Sequence, residues 1–320
     1  MKITEKKIVV CCSQAISGGP ELLHQLVHEL REIGRDAHIA YYPFGEPFTC
    51  PEPYKKYNAP QGPLLDEPDT FVLVPEVATS IIKRFKKAKA GVWWLSVDNY
   101  LLAKHQSRLN DLYLKYKSLI RIRLPLFRMH NLAHFTQSHY SEEFLRQARL
   151  RSAPLTDYLS EDHLAHPILG GVHDKENIVA FNPMKGQKQT LALINAYPDI
   201  QFVPIQKMTP KQVAELLRRS KIYVDFGHHP GKDRPPREAA MAGCCVITGR
   251  KGSARYHEDV ATPDKYKLDD TRSDYVQQFG ALAQEIFDNF ESHARDFDDY
   301  RSKIRLEPQI FKQQVREIFG

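Results

Sequence analysis

The chain has 320 residues, of which 42% are apolar and 26% charged, and its formal net charge at pH 7 is +6. These values are typical of a globular protein and exclude a disordered or collagen-like chain. No apolar run approaches the roughly 20 residues of a membrane-spanning helix, and the opening MKITEKKIVVCCSQ has too short an apolar core for a signal peptide. The length suits two domains of about 150 residues each.

The five cysteines indicate a reducing compartment. Two vicinal pairs, Cys11-Cys12 and Cys244-Cys245, lie inside apolar, strand-like runs, and no C-x-x-C spacing typical of a metal site occurs. Buried cysteines of this kind behave as small hydrophobic residues. We therefore expect a cytoplasmic protein.

The first half of the chain alternates short apolar strands with amphipathic helices. KIVVCCS predicts a strand, GGP a turn, and ELLHQLVHELREIG a helix, because its leucines recur on one helical face and Gly34 stands where a C-terminal cap belongs. Further strands are predicted at 36–42, 70–76, 90–98 and 133–138, and helices at 77–88 and 141–150. Between the second and third strands, residues 43–69 hold seven of the 21 prolines. This stretch predicts an irregular loop of the length that functional loops have.

The second half shows the same alternation. Strands are predicted at 177–183, 200–205, 221–227 and 244–248, and helices at 185–197, 209–220 and 236–243. The second of these helices is strongly signalled, with Thr209 as its N-cap and Gln212 completing a capping box. Helical sequence then runs from Ser273 to about Phe319.

Regular alternation of short apolar strands and helices is typical of parallel sheets that are covered by helices on both faces. The predicted fold class is therefore α/β, with two Rossmann-like doubly wound domains facing across a cleft and a C-terminal helical tail. We place the first domain at 1–170 and the second, with the terminal helices, at 171–320.

Positive charge is concentrated in one segment. Between Lys104 and Arg128 there are seven Lys or Arg residues and one Asp, and KRFKKAKAGVWW just upstream adds five cations and the only two tryptophans. Three interpretations compete: a solvated face, contact with an anionic membrane surface, or contact with an acidic partner such as nucleic acid or a charged glycan. No recognisable nucleic-acid module accompanies the segment, so we expect no nucleic-acid partner.

Two loops stand where doubly wound folds bind ligands, between the end of a strand and the start of a helix. SGGP follows the first strand, and Gly18 and Gly19 would let a phosphate or sugar approach the backbone closely, although such turns also serve chain geometry alone. FNPMKGQKQ follows the first strand of the second half and carries Lys185 and Lys188. Lysines beside a helix N-terminus are unfavourable unless an anion lies between them, and the alternative is solvated surface charge.

The stretch DFGHHPGKDRPPREAAMAGCCVIT (225–248) crowds charged residues, two histidines and a Pro-Pro pair between two apolar strands. Its polar part follows a predicted strand end, so it belongs to the same sheet edge as Lys185. Pro236 suits the first turn of the next helix, and Glu238 is expected on that turn. A first-turn Glu complements the helix dipole, but a carboxylate here can also take two hydroxyls of a ribose or hexose.

The order of these segments resembles a known family. N-P-x-K-G after a strand, followed some 45 residues later by G-H-H-P-G-K-D-R-P-P-R-E-A-A-M-A-G-C-C-V-I-T, resembles the donor-binding domain of GT-B glycosyltransferases of the glycogen-synthase and glycosyltransferase-4 type. GGPELLHQLVHEL is similar to the family's N-terminal GG-x-E segment. The resemblance spans roughly residues 7–260. It implies a GT-B fold with 1–170 as the acceptor-side domain and 171–320 as the nucleotide-sugar-binding domain.

The resemblance also implies roles for single residues. Glu238 matches the glutamate that binds the nucleotide ribose, and Lys185 matches the lysine that neutralises the donor diphosphate. Gly18 and Gly19 match the loop that faces donor phosphate and acceptor. The family's second glutamate, eight positions before the first, is Pro230 here, so retention of the anomeric configuration is in doubt.

The family's diphosphate-binding arginine is also missing from the loop that carries Lys185. Three other cations could replace its charge: Lys188, Lys232 and Arg234. His228 and His229 could contact donor phosphate or sugar, with one of the pair more suited to a structural role.

Glycosyl transfer requires charge stabilisation on the leaving diphosphate, a held sugar, and a base or a positioned acceptor. For the base, the first half offers Asp98 and Glu76, each at the end of a predicted strand and each an equally good helix cap. A histidine such as His228 is the further candidate for a catalytic role.

No metal ion or other cofactor is expected. The single D-x-D pattern, Asp296-Phe297-Asp298, lies in a charged helical tail and is interpreted as solvated surface. No other set of His, Asp and Glu in the sequence suggested a metal site. Helix N-termini and cationic side chains would then neutralise the diphosphate.

The resemblance predicts a glycosyltransferase that moves a sugar from a nucleotide-activated donor to a glycan or lipid-linked acceptor, in the synthesis of a surface polysaccharide or glycolipid. The expected partners are the donor, the acceptor and an anionic membrane surface on the inner face of the membrane. Two alternatives remain open: a nucleotide-sugar 2-epimerase of the same fold, and a basic protein that binds membranes or nucleic acid.

Overall fold

The structure is a computed structural model and describes residues 1–106, 123–161 and 175–320. It divides into two compact units. Unit 1 comprises Met1–Tyr158 with Pro308–Gly320, and unit 2 comprises Leu159–Glu307. The predicted boundary between residues 170 and 171 lies outside the described residues, as does most of the basic segment 104–128. Among the helices of the described residues, none is long and apolar enough to cross a membrane.

Unit 1 is built on a six-stranded sheet with helices on both faces, as the α/β class predicts. Its strands are β1 (Lys7–Ser13), β2 (Asp36–Tyr42), β3 (Thr70–Pro75), β4 (Lys89–Trp94), β5 (Ala133–Thr136) and β6 (Ala153–Pro154). Their order is β2-β1-β3-β4-β5-β6, and all pairs are parallel. Its helices are α1 (Gly18–Glu32), α2 (Val97–Gln106) and α3 (His139–Gln147). Buried apolar clusters cover the two faces of this sheet.

Helix α1 begins earlier than predicted. Gly18 and Gly19 lie inside its first turn rather than in a separate turn, with Ser17 as the N-cap residue. The predicted end of the helix is confirmed, because Gly34 has a φ of 81° and its N–H donates to the Arg31 carbonyl. A left-handed residue after the last turn is the usual glycine position at a helix C-terminus.

The proline-rich loop packs against α1. It contains a 3₁₀ segment, Glu52–Tyr57, in which Tyr54 and Tyr57 are buried. The Tyr54 hydroxyl donates to the Ser17 carbonyl and the Tyr57 hydroxyl donates to Glu21, both at the start of the helix. The loop therefore has a packing role that accounts for part of its length.

Two predicted elements of unit 1 differ in the structure. The predicted helix 77–88 is a 3₁₀ stretch, Glu76–Arg84, interrupted by non-helical geometry at Ala78. The predicted strand 90–98 ends at Trp94, and Asp98 therefore lies in the first turn of α2 and not at a strand end. The Ser96 hydroxyl accepts a hydrogen bond from the Asn99 N–H, so a local polar contact ends the strand and starts the helix.

Unit 2 is built on a four-stranded parallel sheet. Its strands are β7 (Glu176–Phe181), β8 (Gln201–Pro204), β9 (Ser220–Asp225) and β10 (Cys245–Thr248), in the order β10-β9-β7-β8. Its helices are α4 (Gln187–Ala196), α5 (Pro210–Arg219), α6 (Arg234–Met241), α7 (Tyr275–Asp288), α8 (Phe290–Arg295) and the first part of α9 (Asp298–Phe319). The capping box of Thr209 and Gln212 at the start of α5 is present as predicted.

Two expectations for unit 2 are corrected. Helix α6 begins at Arg234, so Pro236 lies in its first turn as predicted but Glu238 lies in the second turn. The D-x-D segment is not simply solvated, because Phe297 is fully buried and Asp296 accepts a hydrogen bond from the Tyr266 hydroxyl.

The end of the chain belongs to unit 1. From Pro308 onward, the residues of α9 pack with the first sheet, where Phe311 and Phe319 are fully buried. The Phe311 ring is stacked on that of Trp93, with 6.3 Å between their centroids. Sequence periodicity alone could not show this, because an amphipathic helix does not specify which sheet it covers.

We expect Phe311→Ala to destabilise unit 1 by about 3–5 kcal/mol, the usual cost of emptying a buried aromatic site. Both tryptophans lie in unit 1, so urea unfolding followed by tryptophan fluorescence reports on that unit. The control is Ile310→Ala at the preceding position, which is 42% exposed and should change stability by about 0.5 kcal/mol or less. Equal effects of the two substitutions would contradict this packing.

Candidate functional site

Three loops at the carboxyl edge of the unit 2 sheet touch one another through backbone atoms. They are residues 182–186 after β7, 226–233 after β9 and 249–253 after β10, and we call them the carboxyl-edge loops. A Cβ added at Gly186, where φ is 59°, would lie 2.6 Å from the Phe226 carbonyl carbon. A Cβ at Gly227 would lie 2.4 Å from the Lys185 Cβ. These positions therefore require glycine, and the requirement holds the first two loops together.

The third loop is held in the same way. A Cβ at Gly252, where φ is 57°, would lie 2.1 Å from the His229 carbonyl oxygen. That oxygen accepts a hydrogen bond from the Ser253 N–H, at 2.8 Å. The Ser253 hydroxyl donates to the Gly231 carbonyl, at 2.6 Å, so this loop fixes both ends of the segment His229–Gly231.

Four charged side chains meet inside the carboxyl-edge loops. Asp225 ends β9, and its carboxylate accepts a hydrogen bond from the Gly227 N–H at 2.9 Å. His229 is fully buried, with Nε2 3.7 Å from the Asp225 carboxylate and Nδ1 3.3 Å from the Asp233 carboxylate. Asp233 also forms an ion pair with Lys185. The structure thus brings Lys185 and His229 together as predicted and adds two acids that the sequence interpretation missed.

The charges of this cluster set its protonation. Burial opposes the protonation of His229, but the facing carboxylates of Asp225 and Asp233 outweigh it and raise the histidine pKa. Burial likewise opposes ionisation of Asp233, yet His229 and Lys185 together lower its pKa. The neighbouring charges of the cluster therefore favour the charged forms of both His229 and Asp233.

The same cluster offers metal-ligand atoms, a set that the sequence did not suggest. One atom each from Asp225, His229 and Asp233 lie within 4.8 Å of one another. His and carboxylate ligands are common for divalent transition metals. One of these three residues, Asp233, is also the partner of Lys185 in an ion pair.

A second charged network anchors the loop that precedes α6. Arg237 is fully buried and donates to the Lys232 carbonyl at 2.9 Å and to the Asp233 carbonyl at 3.2 Å. Arg237 also contacts Glu307, at 2.7 Å, and the Lys232 ammonium lies 2.7 Å from the same carboxylate. Glu307, which no sequence pattern singled out, therefore fixes the start of α6 from a position 70 residues away.

The remaining predicted residues of unit 2 lie around these networks. Arg234 Nε is 3.5 Å from the Glu238 carboxylate, and both side chains are mostly buried. Lys188 lies exposed in the first turn of α4. The structure separates the two histidines, because His228 is exposed while His229 is buried in the cluster.

In unit 1, Glu76 follows β3 and is only 2% exposed. Its carboxylate accepts a hydrogen bond from the Leu95 N–H, at 2.9 Å, and so ties β3 to the end of β4. Burial raises the pKa of Glu76 to about 7, although the Leu95 hydrogen bond and the charge of Arg123 act in the opposite direction. A carboxyl group with this pKa exchanges its proton near neutral pH.

The other predicted residues of unit 1 have simple surroundings. Asp98 accepts a hydrogen bond from the Tyr140 hydroxyl at 2.7 Å, which links α2 to α3. A Cβ at Gly19 would lie 3.9 Å from the Leu95 side chain, an ordinary contact, so packing does not require glycine there.

Comparisons with known proteins were made for sequence and structure. No family model matches the sequence, and no curated protein matches it. Solved structures do match. The Anabaena protein HepE in complex with UDP-glucose aligns with a TM-score of 0.64 at 13% identity, over 97% of this chain and 98% of that chain. WaaG, a glycosyltransferase involved in lipopolysaccharide biosynthesis, aligns with a TM-score of 0.61 at 12% identity, over 96% and 99% of the chains.

A third similar structure is sucrose-phosphate synthase from Thermosynechococcus elongatus, with a TM-score of 0.57 at 11% identity over 98% and 95% of the chains. These matches extend over both units. The chain has the GT-B fold. The predicted resemblance and fold class are thereby confirmed, while the roles of single residues stay predictions.

Within this GT-B fold, the raised pKa of Glu76 makes stability depend on pH. Between the ordinary value of 4.5 and about 7, the folded protein keeps a proton that the unfolded chain has lost, so stability falls as pH rises. We expect wild type to lose about 1–3 kcal/mol of unfolding free energy between pH 5 and 8 that Glu76→Gln does not lose. Urea unfolding followed by tryptophan fluorescence at several pH values measures this.

The matched control for Glu76→Gln is Glu142→Gln, since the Glu142 side chain is 57% exposed in the same unit. Its stability should follow the wild-type pH profile. A Glu76→Gln profile parallel to wild type would show that Glu76 is ionised in the folded protein and that burial does not raise its pKa.

Proposed function

We propose that the protein is a glycosyltransferase that binds a nucleotide-activated sugar at the carboxyl-edge loops of unit 2. The observation that carries the proposal is the position of Lys185. Its loop is fixed by Gly186 against the loop that leads to Glu238, at the sheet edge where doubly wound folds bind their ligands. The GT-B fold, and the UDP-glucose in the HepE structure, support a UDP-sugar as the first donor to test.

The chemistry of the loops suits the leaving diphosphate. Lys185, Lys188 and Arg234 bring three cations to the starts of α4 and α6. Cationic side chains that are already in place stabilise the charge that develops on a diphosphate as the glycosidic bond to it breaks. Backbone donors contribute less at α6, because its second and third residues, Pro235 and Pro236, have no N–H.

The sugar nucleotide also needs a group that holds its hydroxyls. Glu238 has the role implied by the family resemblance, binding the ribose. Its carboxylate lies 3.5 Å from Arg234, and carboxylate oxygens accept hydrogen bonds from hydroxyl groups such as those of a ribose. In unit 1, the absence of a packing requirement for glycine at Gly19 supports a role in close approach of a ligand.

For an inverting transfer, the acceptor hydroxyl must lose a proton to a base. Glu76 and Asp98 are the unit 1 candidates, and the pKa of about 7 favours Glu76 for proton transfer near neutral pH. Its burial and its hydrogen bond to Leu95 equally suit a purely structural role. We propose transfer without a divalent metal, since cationic side chains are already placed at the diphosphate position.

The acceptor is proposed to be a glycan or a lipid-linked sugar, with the protein associated with an anionic membrane surface. The tryptophans do not support this association, since Trp93 and Trp94 are fully buried in the sheet. Phe127 does, because it is 71% exposed near the end of the basic segment, with the Arg128 guanidinium 5.8 Å from its ring centre. Aromatic and cationic side chains together suit a lipid interface.

Removal of Lys185 or Glu238 should weaken donor binding. We expect Lys185→Ala to raise the Kd for UDP by about 10- to 100-fold, the range for a charge-assisted hydrogen bond to phosphate, and Glu238→Gln to raise it by about 5- to 20-fold. Isothermal titration calorimetry with UDP and UDP-glucose measures both, and the same variants are assayed for UDP release with candidate acceptors.

The control is Lys221→Ala, because Lys221 lies at the start of β9, the opposite end of the strand from the carboxyl-edge loops. Its Kd should equal that of wild type. Nucleotide affinity that is unchanged in both Lys185→Ala and Glu238→Gln would refute the site. If the protein converts the donor into another sugar nucleotide when no acceptor is present, the activity is epimerisation and not glycosyl transfer.

A further inference from the structure

Lys188 of the proposed donor site is exposed, but three other cations there are each paired with a carboxylate of the same unit. The pairs are Lys185–Asp233, Lys232–Glu307 and Arg234–Glu238. A diphosphate that contacts one of these three therefore meets a cation that already has a counter-ion. Such a contact competes with the existing ion pair, and the surroundings of the pairs decide which one exchanges.

The pair of Lys232 and Glu307 is the one least suited to exchange. Glu307 is 4% exposed and also holds the fully buried Arg237, which fixes the backbone of the same loop. Removing Lys232 from this carboxylate leaves the Glu307–Arg237 pair but gives up a 2.7 Å contact in a dry environment. Such buried pairs are costly to break.

Asp233 also has two cationic partners, but its lysine is more accessible than Lys232, whose side chain is only 13% exposed. Its carboxylate contacts Lys185 on one side and lies 3.3 Å from His229 Nδ1 on the other. If an anion displaces Asp233 from Lys185, the Asp233 carboxylate still faces the buried imidazole of His229, which also contacts Asp225. Lys185 is also the more accessible partner, with 29% of its side chain exposed against 0% for His229.

The two prolines at the start of α6 explain why Asp233 is available for this role. Asp233 occupies the N-cap position, where an aspartate normally accepts hydrogen bonds from the second and third N–H groups of the helix. Those positions are Pro235 and Pro236, which have no N–H. The Asp233 side chain makes no capping hydrogen bond, and it faces Lys185 and His229 instead.

We propose that Asp233 is an internal counter-ion that competes with the donor diphosphate for Lys185. The inference rests on the proposed function and adds a specificity-determining residue to it. An anion binds here only if its interaction with Lys185 is more favourable than the Lys185–Asp233 ion pair that it replaces. The competition therefore rejects singly charged anions and retains a diphosphate, which has several charged oxygens for one lysine and its neighbours.

The test is isothermal titration calorimetry of UDP into the full-length chain and its variants. Asp233→Asn keeps the side-chain size but removes the competing charge, so we expect it to lower the Kd for UDP by about 5- to 20-fold. The gain should vanish when Lys185→Ala is combined with Asp233→Asn, because no lysine is then released. A double-mutant cycle of this kind isolates the coupling between the two residues.

Two further variants make the result specific. Glu176→Gln removes a negative charge from the same unit at the other end of β7, where Glu176 pairs with Arg219, and should leave the Kd unchanged. Pro236→Ala restores an N–H at the third helical position, so Asp233 gains a capping partner and releases Lys185 in part. It should lower the Kd in the same direction as Asp233→Asn, and it keeps the proposal testable if Asp233→Asn folds poorly.

The possible results distinguish the counter-ion role of Asp233 from the donor site itself. Tighter UDP binding in Asp233→Asn that depends on Lys185 supports the counter-ion. Equal or weaker binding in both Asp233→Asn and Pro236→Ala, with Lys185→Ala still impaired, overturns the counter-ion and leaves the donor site standing. Failure of wild type to bind any nucleoside diphosphate overturns both.

Discussion

The contact between the loop after β7 and the loop after β9 is the constraint on which the candidate site depends. Gly186 has a left-handed backbone, and its α-carbon approaches the Phe226–Gly227 peptide too closely for any side chain. Because Lys185 precedes this glycine directly, the lysine is brought to the segment that holds His229 and Asp233. A bulkier residue at either glycine would separate the loops and disperse the charges that they assemble.

Electrostatics then follows from that packing. Asp225, His229, Asp233 and Lys185 share a small, largely dry volume in which each charge has an opposite neighbour. Despite burial, the neighbouring charges raise the pKa of His229 and lower that of Asp233, so the charged forms of both groups are favoured. The second network, centred on Arg237 and Glu307, keeps the start of α6 fixed beside them. Glycine packing and ion pairs thus hold the carboxyl-edge loops in place.

Much of the fold could be predicted from the sequence because its signals are local. Apolar runs gave the strands of both sheets, and the capping box at Thr209 and the glycine at Gly34 marked helix ends that depend on neighbouring residues only. The end of β4 was harder to predict, since VWWLSVD is apolar through Val97 and only the Ser96 hydrogen bond shows where the helix begins. The last residues belong to unit 1 because Phe311 packs against its sheet. This contact depends on the tertiary structure, which local sequence signals do not specify.

The sequence pointed to the cations of the carboxyl-edge loops and to one carboxylate, Glu238, but not to the other acids. Lys185 and Glu238 stand in segments that resemble a known family, whereas Asp225, Asp233 and Glu307 are significant only through contacts made in three dimensions. One signal for Asp233 was present, however. An aspartate followed by one residue and then Pro-Pro cannot cap the helix that it precedes, so its carboxylate must find another partner.

The most direct test of the central claim is hydrogen exchange of the full-length chain with and without UDP, read peptide by peptide. The account predicts slower exchange on UDP binding in peptides that cover 182–190 and 226–240, with the start of β9 at Lys221 unchanged. Protection confined to unit 1, or no change in the carboxyl-edge loops at a UDP concentration that saturates binding, would contradict it.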